Sequence, residues 1–358
     1  MISWMIAIGV LVGMADSLTG NHFKIGETFQ RGFRLIGSMM ISMAGIMALA
    51  PVIANWIAPL ILPFFRQMNM DPAIVSILMG NDMGGYQMAK SLAEDPMVGM
   101  MLGGITAGMF GGTLTFSIPL GFSLIQGDTR KSFSKGMLIG IGCIPVGSIA
   151  GGLVLGITPS KVLWNNIPVL FLTVLIVLGF VCMQDRLVKI MEIFGKIIEW
   201  TGTIGIGIGA FTYLTGIVVI PGMLPIMDTM QTVCGMTITM IGMFPVLEIF
   251  RRVFQSLLDW IGNLVGMDAD GCSGIIFTLA SAAPVFPMLN DMNETGAILN
   301  AAWIVGCAAT FGSQMGLIMS IGSEYIPAFL TAKLACGLTA LAAGMAYTWH
   351  GRRGWLEK

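Results

Sequence analysis

The sequence predicts an all-α polytopic membrane protein with about nine transmembrane helices and two re-entrant hairpins, arranged as two inverted repeats of about five segments each. Three observations support this fold class. Only 10% of the 358 residues are charged, 55% are hydrophobic, and the mean hydropathy is +0.85. Apolar runs follow one another along almost the whole chain, and most basic residues lie in the short gaps between them. A soluble domain of this size carries far more charge.

The apolar runs define the candidate membrane segments. A hydrocarbon core about 30 Å thick needs roughly 20 apolar residues per helix, and eleven runs are near that length or longer. By residue number they are 2–18, 35–65, 72–92, 97–124, 134–157, 163–183, 200–220, 232–250, 272–290, 296–321 and 326–348. The first run lacks a basic region and a small-residue cleavage site, so we expect a retained helix rather than a signal peptide.

The basic residues decide the topology. If all eleven segments crossed from an outside start, eight Lys and Arg would lie inside and nine outside, against the positive-inside rule. If 72–92 and 272–290 are hairpins that return to the side they entered from, fourteen basic residues lie inside and three outside, with Lys333 inside a span. This arrangement predicts an outside N-terminus and a cytoplasmic C-terminus.

Each predicted hairpin has a break near its middle. The segment GNDMGGY (Gly80–Tyr86) has three glycines beside an Asn and an Asp, a composition that favours a turn over a helix. The segment ASAAPVFP (Ala280–Pro287) contains two prolines and cannot continue as an uninterrupted helix. Half-helices of about nine residues reach some 13 Å, so both hairpin tips are expected near the middle of the membrane.

An alternative topology splits 35–65 at Pro51 into two crossings and lets 72–92 span the membrane fully. No polar loop separates the two halves of 35–65, so each of those helices would be too short. The hairpin topology is therefore the main prediction.

The two halves of the chain resemble each other. Three pairs recur at offsets of 197, 201 and 198 residues: Met70-Asp71 with Met267-Asp268, Phe110-Gly111 with Phe311-Gly312, and Lys135 with Lys333. Gly-rich apolar segments can also look alike by chance, but hairpins entering from opposite sides are typical of inverted transporter repeats. The predicted units are an N-terminal repeat (1–158), a linker helix and basic inner loop (159–199), a C-terminal inverted repeat (200–350) and a cytoplasmic tail (351–358).

The breaks supply the candidate substrate-binding residues. Irregular backbone at membrane depth survives only where it is buried in protein or lines a wet cavity. We therefore expect two hairpin tips and two unwound spans to converge on one polar pocket. The hydroxyl and amide groups expected there are Thr113, Thr115, Ser117, Ser281, Ser313 and Gln314. The glycines expected to act as hinges or to permit backbone breaks are Gly84, Gly85, Gly111, Gly112 and Gly312.

Asp82 is the main candidate for binding a cation. An Asp at bilayer depth costs roughly 2.5 to 3.5 kcal/mol on insertion scales, so it usually faces a cavity or a partner. The alternative is an Asp that caps the hairpin turn. Asn81 and Tyr86 are secondary candidates that could equally make packing hydrogen bonds. Asp16 is expected to pair with Lys24 or Arg31.

Enzymatic and metal-binding motifs are absent from the sequence. There is no HExxH, GxSxG or Walker A motif, and the six Cys are scattered singly without CxxC spacing. We therefore expect a protein that is not an enzyme and that has no cofactor, metal or nucleic-acid partner. Its expected partners are the lipid bilayer and a small-molecule amine. Oligomers are common among such folds, so a homodimer is the default expectation.

Several segments closely resemble the ethanolamine-utilisation permease family, EutH. They run almost the length of the chain: MALAPVIANWIAPLILPFF (Met47–Phe65), GNDMGGYQMAK (Gly80–Lys90), TLTFSIPLGF (Thr113–Phe122), IGCIPVGSIAGGL (Ile141–Leu153), IPGMLPI (Ile220–Ile226) and GMDADGCSGIIFTLA (Gly266–Ala280). The resemblance implies a multi-pass protein of the bacterial inner membrane that admits ethanolamine. The alternatives are a permease for another small amine and a non-transporting amine sensor or scaffold.

The chain departs from the expected family pattern in the C-terminal half of the proposed site. It has LASAAP (Leu279–Pro284) where the family is expected to have Leu-Ala-Asn-Asn-Ile-Pro. It has AATFGSQMG (Ala308–Gly316) where Phe-Ala-Leu-Gly-Asp-His-Leu-Gly is expected, so Ser313 and Gln314 replace an acidic and an imidazole group. These changes leave the choice of amine open.

Overall fold

A computed structural model describes residues 2–78 and 84–356. The described residues form helices and no strands. Six helices in this part of the chain are long and apolar enough to cross a membrane: Gly45–Gln67, Pro96–Leu124, Thr129–Val154, Pro159–Thr215, Ile226–Leu257 and Ser323–Trp349. Two shorter apolar helices are Ser3–Leu18 and Ala269–Ala280. This architecture is that of a helical, multi-pass membrane protein, as the sequence predicts.

The α-helices follow in chain order. They are α1 (Ile2–Leu18), α2 (Ile25–Arg34), α3 (Ile36–Met39), α4 (Gly45–Gln67), α5 (Gly84–Leu92), α6 (Pro96–Gly99), α7 (Ala107–Gly112), α8 (Ile118–Leu124), α9 (Thr129–Val154), α10 (Pro159–Thr215), α11 (Ile226–Val265), α12 (Ala269–Ala280), α13 (Val285–Met288), α14 (Glu294–Cys307), α15 (Ser313–Ile321) and α16 (Ile326–Leu356). π-Helical turns at Met40–Ala44, Met100–Thr106 and Thr113–Ser117 connect neighbouring helices, and 3₁₀ turns occupy Pro72–Ile77 and Ser323–Tyr325.

Helix α10 joins two segments that the sequence predicts to be separated by a basic loop. Residues 184–199 are helical, and a kink at Met183, where φ is −151° and ψ is 50°, divides the helix. Arg251 and Arg252 likewise lie within α11 instead of a loop. Long aliphatic stems and regular internal hydrogen bonds let charged residues extend a helix beyond the apolar region.

Helix α4 continues through Pro51, Pro59 and Pro63. The split at Pro51 required by the alternative topology is therefore not observed. Within a membrane domain, neighbouring helices and local adjustments satisfy the backbone groups that a proline frees, so proline does not have to end a helix there.

The predicted unwinding at Gly111 and Gly112 does not occur. Both glycines belong to α7, and the chain continues as a π-helical turn from Thr113 to Ser117. The Thr113 hydroxyl donates to the Met109 carbonyl over 2.6 Å. A π-turn widens the helix while keeping internal partners for its backbone, which an unwound segment in apolar surroundings would lack.

The ends of the first predicted hairpin segment lie side by side. The carboxylate of Asp71 accepts the Ala73 amide over 2.9 Å through Oδ1, and through Oδ2 it accepts the amides of Glu94 and Asp95 over 3.1 and 2.9 Å. One side chain thus ties residue 71 to residues 94 and 95. Residues 79–83, where the tip is predicted, lie outside the described residues.

The second predicted hairpin segment is tied in the same way. The Asp268 carboxylate accepts the Gly271 amide over 2.9 Å and the Asn293 amide over 2.6 Å. The Asn293 side chain in turn caps α14 by accepting the Gly296 amide over 2.7 Å. We call these two arrangements the Asp71 and Asp268 clasps. Between residues 268 and 293 the chain leaves helix α12 at Ser281 and re-enters a short helix at Val285.

Small residues allow the helices to approach closely around α9, which packs against α14 and α16. A Cβ atom on Gly136 would lie 2.3 Å from the Ile298 carbonyl oxygen, and one on Gly147 would lie 2.6 Å from the Ala332 carbonyl oxygen. Such contacts between small residues are the usual basis of helix association in membranes, where apolar side chains gain little by leaving lipid.

Asp16 is a backbone cap and not the predicted partner of Lys24 or Arg31. It is buried at the end of α1 and accepts the amides of Phe23, Ile25 and Gly26 over 3.0, 2.8 and 2.9 Å. These amides lead into α2 and would otherwise be unsatisfied.

Ion pairs surround the ends of the membrane helices. Arg66 pairs with Glu94, Lys161 with Asp95, and Lys135 with Glu294. Burial raises the pKa of the Asp95 carboxyl, but the hydrogen bonds from Lys161 and the Met97 amide outweigh it and hold that pKa below its usual value.

The clasps predict a specific loss of stability. Asp71→Ala and Asp268→Ala should each lower the free energy of unfolding by about 1 to 3 kcal/mol, because each leaves backbone amides without their acceptor. Thermal unfolding of the detergent-solubilised protein measures the effect. The control is Asp270→Ala, which removes an exposed acidic side chain from the first turn of α12. Unfolding midpoints equal to the wild type in both clasp variants would contradict the role of the clasps.

Candidate functional site

A cavity of about 690 Å³ lies where the span from Pro96 to Leu124, the second hairpin segment and the α14–α15 break meet. Its walls come from distant parts of the chain, including α10 and the region around the π-turn at Met40–Ala44. The cavity is large enough for a small organic molecule with some bound water.

Most of the predicted binding residues meet at this cavity. Those that line it are Thr113, Thr115, Ser117, Ser281, Ser313 and Gln314, together with the predicted break residue Gly112. Gly111 lies one residue away, and its carbonyl accepts the Thr115 hydroxyl over 2.8 Å. The structure therefore brings together the hydroxyl and amide groups of both predicted broken spans.

The residues predicted from the first hairpin are placed differently. Tyr86 does not line the cavity but packs, partly buried, against the hydrophobic core. A Cβ on Gly85 would lie 2.7 Å from the Ala107 Cβ, so this glycine permits close helix packing. Gly84 is the first residue of α5. Asn81 and Asp82 lie outside the described residues.

The threonine hydroxyls are arranged to accept hydrogen bonds from a ligand. Thr113 and Thr115 each donate their one hydroxyl proton to a carbonyl four residues earlier in the same helix. Each oxygen keeps acceptor lone pairs after that donation. These two residues therefore suit a ligand that donates hydrogen bonds, such as a hydroxyl or an ammonium group.

Gln314 joins the two spans that contribute to the cavity. It is 4% exposed, and its side-chain amide donates to the Gly108 carbonyl over 3.1 Å. A Cβ on Gly108 would lie 3.0 Å from the Gln314 carboxamide oxygen, so glycine gives this side chain its space. One side chain thus couples the position of α15 to that of α7.

The predicted break in 296–321 is present. Helix α14 ends at Cys307 and α15 begins at Ser313, and between them Ala309 adopts a left-handed φ of 52°. The amides of Ala309 and Phe311 donate to the carbonyls of Thr278 and Leu279 over 2.9 and 2.8 Å. Backbone amides of the break therefore donate to carbonyls at the end of α12, which have no partner within their own helix.

Two helix C-termini lie beside the cavity. Ala280, the last residue of α12, and Ala308, which follows the last residue of α14, both line it. A helix C-terminus carries roughly half a negative charge on its last carbonyls, which favours cations nearby. The N-terminus of α15 at Ser313 contributes the opposite partial charge from one side.

Three charged residues of α10 also line the cavity, and the sequence analysis did not select them. Glu192, Lys196 and Glu199 lie four and three residues apart, so they share one helix face. Two carboxylates and one ammonium give this face a net charge of −1. The same spacing was visible in the sequence, but it places the three side chains on one face only if residues 184–199 form a helix.

Gly312 is the position where the break is most constrained. Its φ and ψ are −101° and −128°, and a Cβ there would lie 2.2 Å from the Ala280 carbonyl oxygen. Gly312→Ala should therefore destabilise the protein by about 1 to 3 kcal/mol, as overpacking does in a close-packed core. Thermal unfolding in detergent measures the change.

The neighbouring variant Ala309→Gly serves as the matched control. Because Ala309 has a positive φ, glycine at that position relieves strain and should cause no comparable loss of stability. An unchanged unfolding midpoint for Gly312→Ala would show that the break can accommodate a side chain.

Comparison with known proteins gives a consistent family assignment. The sequence profile described as "Ethanolamine utilisation protein, EutH" matches residues 1–347. A Listeria monocytogenes protein named "Probable ethanolamine permease EutH" is 35% identical over 96% of this chain and 92% of its own length. The Bacillus subtilis uncharacterized protein YxeR is 32% identical over 95% and 92%. A Salmonella typhimurium protein, also named "Probable ethanolamine permease EutH", is 30% identical over 89% and 85%. No solved structure matches the chain.

Proposed function

The chain belongs to the ethanolamine utilisation protein EutH family, and on that premise we propose that it is a permease for ethanolamine or a similar small protonated alkanolamine. The substrate would pass through the cavity between the two broken regions. Relatives named as probable ethanolamine permeases cover nearly the whole chain, which supports a transport role and an ethanolamine-like cargo.

The cation-favouring character of the cavity carries this proposal. The carboxylates of Glu192 and Glu199 and the C-terminus of α12 contribute negative potential to the cavity, whereas Lys196 and the N-terminus of α15 at Ser313 oppose it. In transporters with broken helices, half-helix C-termini are recurrent sites for cations. Ethanolamine is mostly protonated near neutral pH, so its ammonium suits these groups.

The hydroxyl of the substrate also has complementary groups. Thr113 and Thr115 accept from a donor, whereas the carboxamide of Gln314 and the hydroxyl of Ser313 offer both donors and acceptors. An ammonium at the acidic side and a hydroxyl near these polar side chains would satisfy both ends of an alkanolamine. This part of the site would distinguish alkanolamines from simple alkylamines.

The proposed topology places the protein in the bacterial inner membrane with its N-terminus outside and its C-terminus in the cytoplasm. Basic residues in the predicted inside segments support that orientation. Lys196 belongs to one of those segments and lines the cavity. We therefore infer that the cavity opens toward the cytoplasm in this conformation.

The two clasps support the proposed inverted repeat with its nine spans and two hairpins. Asp71 and Asp268 occupy matching positions 197 residues apart, and each accepts an amide from the residue that caps the next helix. Those capping residues, Asp95 and Asn293, are 198 residues apart. This correspondence supports the proposed repeats of about 1–158 and 200–350 around a linker at 159–199.

Counterflow in proteoliposomes tests the proposed function. Vesicles loaded with unlabelled ethanolamine should accumulate labelled ethanolamine transiently, with saturation, and propanolamine or choline as competitors define the accepted amines. A sensor or scaffold would bind the label without exchange, and a channel would give flux that does not saturate. Either outcome, with a working family member as the positive control, would reject the permease proposal.

The carboxylates of α10 predict a change in apparent substrate affinity. Glu192→Gln and Glu199→Gln should each raise the KM for ethanolamine by about threefold to tenfold, because each removes one attractive charge from the cavity. Lys196→Gln should lower KM, and Glu27→Gln on the exposed face of α2 is the neutral control. Added salt should reduce these differences. Equal KM values for all four variants would contradict the assignment.

We also propose that Asp82 is a cation-binding group, as the sequence predicts. Asp82→Asn should abolish most uptake while the protein keeps its yield and its elution as a folded species, because an amide cannot supply the negative charge. Asp228→Asn, at the exposed start of α11, is the control. Normal uptake in Asp82→Asn would reject the role and favour the capping alternative.

A further inference from the structure

Lys333 is a fully buried lysine within a membrane helix. It lies in α16, and its side chain is 0% exposed. Ionisable residues inside membrane helices are rare because burying them is costly, and those that are kept usually serve a pathway, a relay or a binding site. The transport proposal given above does not use Lys333, so its presence there needs a separate reason.

The Lys333 ammonium is directed at the break behind the cavity. Its Nζ donates to the Ala308 carbonyl over 3.1 Å and lies 5.8 Å from the centre of the Phe329 ring. Ala308 is the C-cap of α14, and it lines the cavity on its other side. A second contact joins the same elements, because the Cys307 thiol donates to the Lys333 carbonyl over 3.3 Å.

The matching position in the other half of the chain shows a different arrangement. Lys135, 198 residues earlier, lies in α9 with a side chain that is 41% exposed, and it pairs with Glu294 over 3.2 Å. The two lysines thus share a sequence correspondence, but Lys135 pairs with the first residue of α14, whereas Lys333 contacts the break at the other end of that helix. Replacing Lys135 in α9 therefore serves as the control for replacing Lys333 in α16.

We propose that Lys333 is a positioning residue for the substrate site. The Lys333 ammonium binds the C-terminal carbonyl of α14 in the way that a bound cation would. In other broken-helix transporters an ion occupies such a terminus. Here the tether would hold segment 308–312, and with it Ser313 and Gln314, in the arrangement that faces the substrate. The uptake part of its test rests on the proposed function, whereas the hydrogen-exchange part does not.

Lys333→Met tests the proposal because it keeps the length and apolar volume of the side chain but removes the charge and the donor. Replacing a buried charged group with an apolar one is often neutral or stabilising, so the unfolding midpoint should not fall. The KM for ethanolamine should rise by about tenfold while kcat changes by less than about threefold, which separates positioning from a general loss of fold. Lys333→Gln keeps a neutral hydrogen-bond donor, so its KM should lie between those of the wild type and Lys333→Met. Lys135→Met should keep both constants within about twofold of the wild type.

Hydrogen exchange supplies a measurement that does not depend on the substrate. Peptides covering 308–316 should exchange faster in Lys333→Met than in the wild type or Lys135→Met. Without the tether at the Ala308 carbonyl, the amides of Ala309 and Phe311 should separate more often from the carbonyls of Thr278 and Leu279. If Lys333→Met does not fold, Lys333→Gln carries both measurements. Wild-type KM together with wild-type exchange in this segment would overturn the proposal, as would faster exchange spread evenly over α14 and α16. Failure of the wild type to transport ethanolamine would reject the proposed function, and the exchange result would still decide the role of Lys333.

Discussion

The need to satisfy every backbone polar group inside a membrane governs this structure. Where a helix ends within the protein, its free carbonyls and amides must find partners that water would provide elsewhere. The chain meets this need at α12 by hydrogen bonds from the 308–312 segment. At the ends of the two predicted hairpin segments, the Asp71 and Asp268 clasps accept backbone amides in the same way. The same requirement explains why Thr113–Ser117 forms a π-turn instead of an unwound segment.

The chemistry of the cavity follows from how these requirements are met. Helix ends that stop inside the protein leave partial charges at the cavity. The C-terminus of α12 favours a cation there, whereas the Ala308 carbonyl at the end of α14 already accepts a hydrogen bond from Lys333. The carboxylates of α10 reinforce that potential from another wall. The groups that stabilise the broken backbone and those that would recognise an amine are therefore close neighbours. A substitution at the break should affect both properties.

The two halves of the chain use matching parts for different tasks. In both halves an Asp clasp lies at the start of the predicted hairpin segment. The N-terminal span keeps its internal hydrogen bonds through a π-turn, whereas the C-terminal span is interrupted at 308–312. Lys135 pairs with Glu294 near a helix end, and Lys333 is buried against the interruption.

The sequence alone determined that this is a helical multi-pass membrane protein of the EutH family, and it identified most of the polar residues that line the cavity. Low charge, apolar segment length and local motifs carry that information, because the bilayer constrains them without reference to distant contacts. The tertiary structure decided which groups meet. Glu192 and Glu199 became cavity residues because a predicted loop is helical, Tyr86 was placed in the core, and Lys333 was brought to Ala308 across 25 residues. Local sequence does not specify such long-range contacts, since they depend on how the helices pack against one another.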